Sequence, residues 1–148
     1  MLNAGEALHK RFNWVGLVVD DGPDRHRARG AAPVLPACCA TERHPLPLQV
    51  LATVLREAGM PVVFLGELVA PEVLVRTAVR LEPVLVLVSS MTPYSADVPL
   101  PAELARRNVP VRAAGPGWYP VGGRIGPVVN GLRAALRAVS AHTGRAWP

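Results

Sequence analysis

Three short stretches carry side chains that could do chemistry, and each follows an apolar run: Glu42-Arg43-His44, Ser89-Ser90-Met91-Thr92 and Gly115-Pro116-Gly117. His44 offers a neutral imidazole nitrogen to a metal. Glu42, two residues earlier, could accept a hydrogen bond from the other ring nitrogen and fix its tautomer. No second cluster of His, Cys or carboxylate completes a protein-only zinc site, which needs three or four ligands. A lone histidine ligand therefore makes sense only where a macrocycle supplies the others; a surface-loop histidine without a role is the plainer reading of the spacing alone. The hydroxyls of Ser89, Ser90 and Thr92 could hydrogen-bond a ligand inserted along a sheet edge, or simply end a strand. Gly115 and Gly117 let a ligand approach the backbone closely, or merely form a turn.

These stretches matter only if the chain brings them together, and the hydrophobic pattern predicts that it does. Residues 34–39 (VLPACC) read as a strand, with Pro36 marking it as an edge or an irregular one. Leu48, Leu51, Ala52 and Leu55 recur at helical spacing, and Gly59 sits where a C-cap glycine belongs. Residues 61–65 (PVVFL) form the next strand. A helix opens at Pro71, with Glu72 beside its N-terminal dipole, and ends near Pro83. Residues 84–88 (VLVLV) are apolar without alternation, as in a strand buried on both faces. A short helix over 101–108, a strand over 109–113, a short final strand over 121–125 and a last helix from Pro127 complete the order. Strands alternating with helices predict an α/β fold: a flavodoxin-like (Rossmann-like) five-stranded parallel sheet with helices on both faces and right-handed crossovers. Ligands of such sheets bind at the carboxyl ends of the strands, where all three stretches would gather.

Composition bounds the function. The chain has 148 residues, half of them hydrophobic and 18% charged, which excludes an intrinsically disordered protein and suits one domain. No apolar run approaches the ~20 residues that span a bilayer. No secretory signal pattern is visible, so a cytoplasmic address is expected. The two cysteines, Cys38 and Cys39, are neighbours and cannot form a disulfide framework. The net charge of +5 comes from fifteen Arg and the single Lys10. Arg pairs well with phosphate, but these are scattered through every segment and no zinc-finger or RNA-binding signature accompanies them, so direct nucleic-acid binding is not expected. Residues 1–32 differ from the rest. Residues 20–30 (DDGPDRHRARG) read as a loop, and residues 14–19 (WVGLVV) could be a short strand. The expected organisation is an N-terminal extension over 1–32 and a ligand-binding domain over 33–148.

In this order, the stretches resemble a cobalamin-binding domain of the flavodoxin-like type. That family carries Asp-x-His-x-x-Gly after its first strand, Ser-x-Leu or Ser-x-Thr after its third and Gly-Gly after its fourth. The corresponding stretches are Glu42-Arg43-His44-Pro45-Leu46-Pro47, Ser90-Met91-Thr92 and Gly115-Pro116-Gly117. The resemblance covers about residues 33–140. It is closest to the sensory domains of MerR-type, light-responsive regulators, where Glu often replaces the Asp and a stretch like His44-Pro45-Leu46-Pro47-Leu48 occurs. Three departures stand out: Glu42 for Asp, Pro47 for Gly, and Pro116 between the glycines. The resemblance implies His44 as lower axial ligand of cobalt, oriented by Glu42. It implies Ser89, Ser90 and Thr92 lining a slot for the nucleotide tail, and Gly115 and Gly117 leaving room for its benzimidazole. Trp118 and Tyr119 could border the tail, or pack on the sheet rim.

The function expected on this resemblance is a cobalamin-binding sensory or regulatory module, taking adenosylcobalamin or methylcobalamin, without a DNA-binding domain of its own and without catalytic residues. Its partners would be a separate DNA-binding or helical-cap protein, or a second copy. One alternative is a corrinoid-carrying small subunit of a cobalamin-dependent mutase or methyltransferase, which would use the same His44. Another is a degenerate domain that serves protein contacts only. A phosphate-receiver domain shares the fold, and Asp20-Asp21 resemble its acidic strand end. It also needs an Asp after the third strand and a Lys after the fifth, and neither is present.

Overall fold

The computed structural model describes residues 31–146. The expected N-terminal extension, with Trp14 and the charged stretch 20–30, lies outside the described residues apart from positions 31 and 32. The elements are β1 (Val34–Cys38), α1 (Leu46–Glu57), α2 (Pro71–Leu81), β2 (Leu85–Ser89), α3 (Pro99–Arg106), β3 (Val111–Ala114), a 3-10 helix (Pro116–Val121), the single turn α4 (Gly122–Ile125) and α5 (Leu132–Thr143). The strands form one parallel sheet in the order β1-β2-β3. Register places Cys38 opposite Ser89, and Ser89 opposite Ala114. These three residues form the last rung at the carboxyl edge.

Prolines punctuate the helices where their missing N–H is harmless. Pro71 and Pro99 open α2 and α3, and Pro47 lies in the first turn of α1, where amide donors have no intrahelical partner. Glu72 in the first turn of α2 complements its dipole.

The α/β alternation is as expected, but the sheet is three-stranded among the described residues rather than five-stranded. Two flanking segments make isolated parallel bridges instead of strands: Val62 and Gly66 beside β1, and Val129 beside β3. Pro36 explains the first. Val34 donates to Pro61 O and accepts from Val63, and Pro36 accepts from Leu65. The ladder next requires a donor at position 36, and proline has none. The bonding then resumes one residue out of step, with Cys38 donating to Gly66 O. Thus β1 is an interior strand with an irregular side, not an edge. The strand expected over 121–125 is also absent: the chain there is helical, and Val129 instead bridges to Ala114.

Both faces of the sheet are covered. On one, Val34, Leu85 and Leu87 pack with Leu48, Leu51 and Leu55 of α1 and Val139 of α5. On the other, Leu35, Val86 and Val88 pack with Leu74 and Ala78 of α2, Leu100 and Leu104 of α3, and Trp118. Strands buried on both faces account for the unbroken apolar run at 84–88.

Candidate functional site

The chain leaves β1 through a turn in which Glu42 N–H donates to Cys39 O (3.0 Å). The turn swings the Glu42 carboxylate inward, where it is 1% exposed. Both its oxygens are used. Oε1 accepts from His44 N–H (3.0 Å) and lies 2.5 Å from His44 Nδ1. Oε2 accepts from Met91 N–H (2.7 Å) and from the Ser95 hydroxyl (2.5 Å). Burial pushes the carboxyl pKa up, but the bonds from Ser95, Met91 and His44 outweigh it and hold the group at about 2. Glu42 is therefore a buried, fully solvated-by-protein anion.

Its effect on His44 is specific. A carboxylate only accepts, so Nδ1 carries the proton and Nε2 presents a lone pair. The side chain is 65% exposed, and Nε2 has no bonding partner among the described residues. The imidazole is oriented from behind and open in front, the arrangement of a metal-ligating histidine backed by a carboxylate. No group of three or more His, Cys, Asp or Glu could hold a metal ion among the described residues. A metal at His44 would thus bring its remaining ligands with it.

Beside this pair lies a cavity of about 430 Å³ between the carboxyl edge of the sheet, α1 and the start of α5. Leu46, Pro47, Leu51, Ser89, Met91 and Gly115 are among its walls. Its size is typical of a small-molecule site. Ser89 is 2% exposed, and its hydroxyl has no partner among the described residues. A buried orphan hydroxyl in a mostly apolar wall, whose other polar side chain is Asn130, costs free energy unless a ligand satisfies it. The residues present therefore fit a macrocyclic metal group with an aromatic, acceptor-bearing appendage: a single free imidazole outside, and an apolar slot with one unsatisfied hydroxyl next to it.

The structure divides the expected site residues into two groups. Glu42, His44, Ser89 and Gly115 stand at the site. Ser90, Thr92 and Gly117 support it from behind. Ser90 Oγ donates to Thr92 O and lies 2.8 Å from Ser95 Oγ, so these hydroxyls face each other and not the slot. A Cβ at Gly117 would stand 2.3 Å from Ser90 Oγ and 2.4 Å from Thr92 O; one at Gly115 would stand 2.5 Å from Ser90 O. At both glycines the room a Cβ would need is filled by the serine loop. Of the expected slot residues, Ser89 lines the cavity, together with Met91, while Ser90 and Thr92 are not among its walls. Neither proline departure breaks the site: Pro47 sits in the first turn of α1, and Pro116 opens the 3-10 helix.

Ser95 and the Met91 amide were not identified from sequence. Ser95 lies 53 residues from its partner Glu42, and a backbone N–H leaves no mark in the residue type, so neither had a local signal. Trp118 is fully buried and its Nε1 donates to Val88 O (3.0 Å), a packing role on the other face of the sheet. The thiols are not reactive groups: burial pushes Cys38 up to about 12 and Cys39 to about 11. A larger groove, about 710 Å³ between α2 and α3, adjoins none of this network. Glu103 on its wall is paired with Arg106 and Arg107.

Fold and site together define an α/β domain with a cavity at the carboxyl edge of its parallel sheet. Residues 33–123 match the family of the B12 binding domain, and the chain belongs to that family. No curated protein matches it. Among solved structures it is similar to a cobalamin-binding protein from Desulfitobacterium hafniense DCB-2, with a TM-score of 0.67, 18% identity and coverage of 76% of this chain and 59% of that one. It is also similar to the methanol:cobalamin methyltransferase complex from Methanosarcina barkeri, with a TM-score of 0.62, 16% identity and coverage of 76% and 47%. A third is the monomethylamine corrinoid protein of Methanosarcina barkeri, with a TM-score of 0.59, 19% identity and coverage of 83% and 63%. These likenesses concern the fold. The chain spans between 47% and 63% of the length of these structures.

Proposed function

We propose that this cobalamin-binding domain holds its cofactor through His44 and serves as a corrinoid carrier that presents it to a partner. Bound cobalamin supplies a cobalt centre whose upper face carries or exchanges an alkyl group. The chain's own residues do the holding. His44 Nε2 would be the protein's ligand to the cobalt. Glu42 keeps the proton on Nδ1 and fixes the ring. Ser95 and the Met91 amide fix Glu42. The slot would hold the nucleotide tail away from water, and the Ser89 hydroxyl would be free to donate to it. Gly115, a wall of the slot, lets the serine loop pack close against the end of β3.

The observation that carries this reading is the buried Glu42 behind an exposed His44, next to an open slot with an unsatisfied Ser89 hydroxyl. The slot and the orphan hydroxyl also weigh against a degenerate domain. Two of the similar structures are, by name, a methyltransferase complex and a corrinoid protein, which supports a carrier. The test is gel filtration of the purified chain with methylcobalamin in the dark: the corrin co-elutes with the wild type and not with His44→Ala. Loss of co-elution in neither protein, or in both, contradicts the proposal.

A second reading, the sensory module, is favoured by the stretch His44-Pro45-Leu46-Pro47-Leu48 and by Glu at position 42. On that reading, illumination changes the oligomeric size of the adenosylcobalamin-loaded chain; on the carrier reading, size is indifferent to light. No helix of the described residues is long and apolar enough to cross a membrane, and a cytoplasmic address is part of the proposal. Partners in either case are a cap protein, a DNA-binding protein or a second copy over the exposed face.

A further inference from the structure

Three non-glycine residues adopt left-handed backbone among the described residues: Leu68 (φ 53°), Glu82 (φ 48°) and Asn108 (φ 59°). Two of them have a local reason. Glu82 caps α2 with its N–H on Ala78 O, and Asn108 follows α3 with its N–H on Ala105 O; left-handed residues commonly close helices. Leu68 closes no helix. It stands in the connection between the Gly66 bridge and α2, in a conformation that a leucine adopts only against steric resistance.

This conformation does two things. It lets Leu68 N–H donate to Glu42 O (3.1 Å), tying the connection to the turn that carries His44. It also leaves the Leu68 side chain 41% exposed at the ligand edge while its neighbour Val69 is buried in the α2/α3 core. Glycine or asparagine would serve the backbone and the N–H bond equally well, with less strain. What only leucine adds is an exposed branched apolar group, and backbone strain of this kind is a pointer to function.

We infer that Leu68 is a contact residue for the corrin ring, an apolar rest for its edge. This rests on the reading that cobalamin binds at His44. The connections after β1 and after the Gly66 segment leave neighbouring positions of the sheet, about 5 Å apart, and a corrin macrocycle is wider than that. Its rim carries methyl groups between its amide side chains, and a branched apolar side chain packs on the methyls. Leu68 is not a wall of the slot, so its contact is with the ring and not with the nucleotide tail.

The test is a titration of the purified chain with hydroxocobalamin and with cobinamide, the ring without its nucleotide. Wild type is compared with Leu68→Gly, Leu68→Asn and Leu68→Met. The Gly and Asn variants melt no lower than wild type, because strain is relieved. Their Kd for cobalamin rises about five- to thirty-fold, or about 1–2 kcal/mol. Cobinamide loses the same factor, and Leu68→Met returns to within about threefold. Wild-type affinity in the Gly and Asn variants overturns the inference, and so does a loss that spares cobinamide. A wild-type chain that takes up no corrin fails at the proposed function instead, and shows it before any Leu68 variant is made.

Discussion

The two faces of the sheet end differently at the carboxyl edge. On the α2/α3 face the core runs unbroken to the strand ends, where Trp118 packs in from beyond β3 and its indole N–H satisfies Val88 O. On the α1/α5 face the apolar alternation Leu85, Leu87 gives way at the last rung to Ser89, and the core stops at an open cavity. The same five-residue strand supplies both endings. One face spends its last position on packing; the other leaves a buried hydroxyl without a partner. Where a fold with close-packed cores on both sides leaves one unsatisfied polar wall, that wall marks the ligand.

The contrast can be broken at four points. Trp118→Ala removes the plug of the closed face. Its cost in urea unfolding is about 3–5 kcal/mol, while the fraction that remains folded keeps wild-type cobalamin affinity. An equal loss of affinity per folded molecule would erase the division between the faces.

Acid titration probes the polar side of the edge. The Glu42 carboxyl lies at about 2 in the fold against an ordinary value of 4.5. Its pKa is depressed by folding, so its stabilisation is complete above pH ~4.5 and is lost as pH falls towards 2. The difference is worth roughly 3 kcal/mol. Stability curves measured between pH 6 and 2 show this limb in the wild type and a flatter one in Glu42→Gln. The same variant loses about 10–100-fold in cobalamin affinity, as carboxylates behind a ligating histidine do.

Ser89→Leu closes the open face as Trp118 closes the other. Cobalamin affinity falls about a hundredfold, while stability changes by less than about 1.5 kcal/mol because an orphan hydroxyl is exchanged for an apolar side chain. Calorimetry of the two quantities separates a slot from an ordinary core position. Among the site variants the smallest loss of affinity belongs to Ser95→Ala. A hydrogen bond to the buried Glu42 carboxylate is lost, about 1.5–3 kcal/mol by thermal unfolding, with less than a tenfold weakening of binding.

What the sequence made legible was whatever depends on local pattern. The apolar run at 84–88, the proline and glutamate opening α2, and the pairing of Glu42 with His44 are each contained within a few neighbouring letters. What it hid depends on partners far along the chain. Pro36 marked an irregular strand, but only the pairing with 61–66 shows that its missing donor reduces that segment to two bridges. Of the hydroxyls expected along the slot, Ser89 lines the cavity while Ser90 meets Thr92 O and Ser95 instead, a division that residue types alone do not record. Ser95 reaches Glu42 across a separation no periodicity records. The end over 121–125 read as a strand and is helical, and the bridge to β3 is made by Val129 instead.

The central claim is that the free nitrogen of His44 is the protein's ligand to cobalt. The most direct measurement is the dark absorption spectrum of hydroxocobalamin mixed with the wild-type chain and with His44→Ala. The account predicts a shift with the wild type that is absent in the variant, whose fold is unchanged by circular dichroism because the side chain is largely exposed. Identical spectra from the two proteins would contradict it.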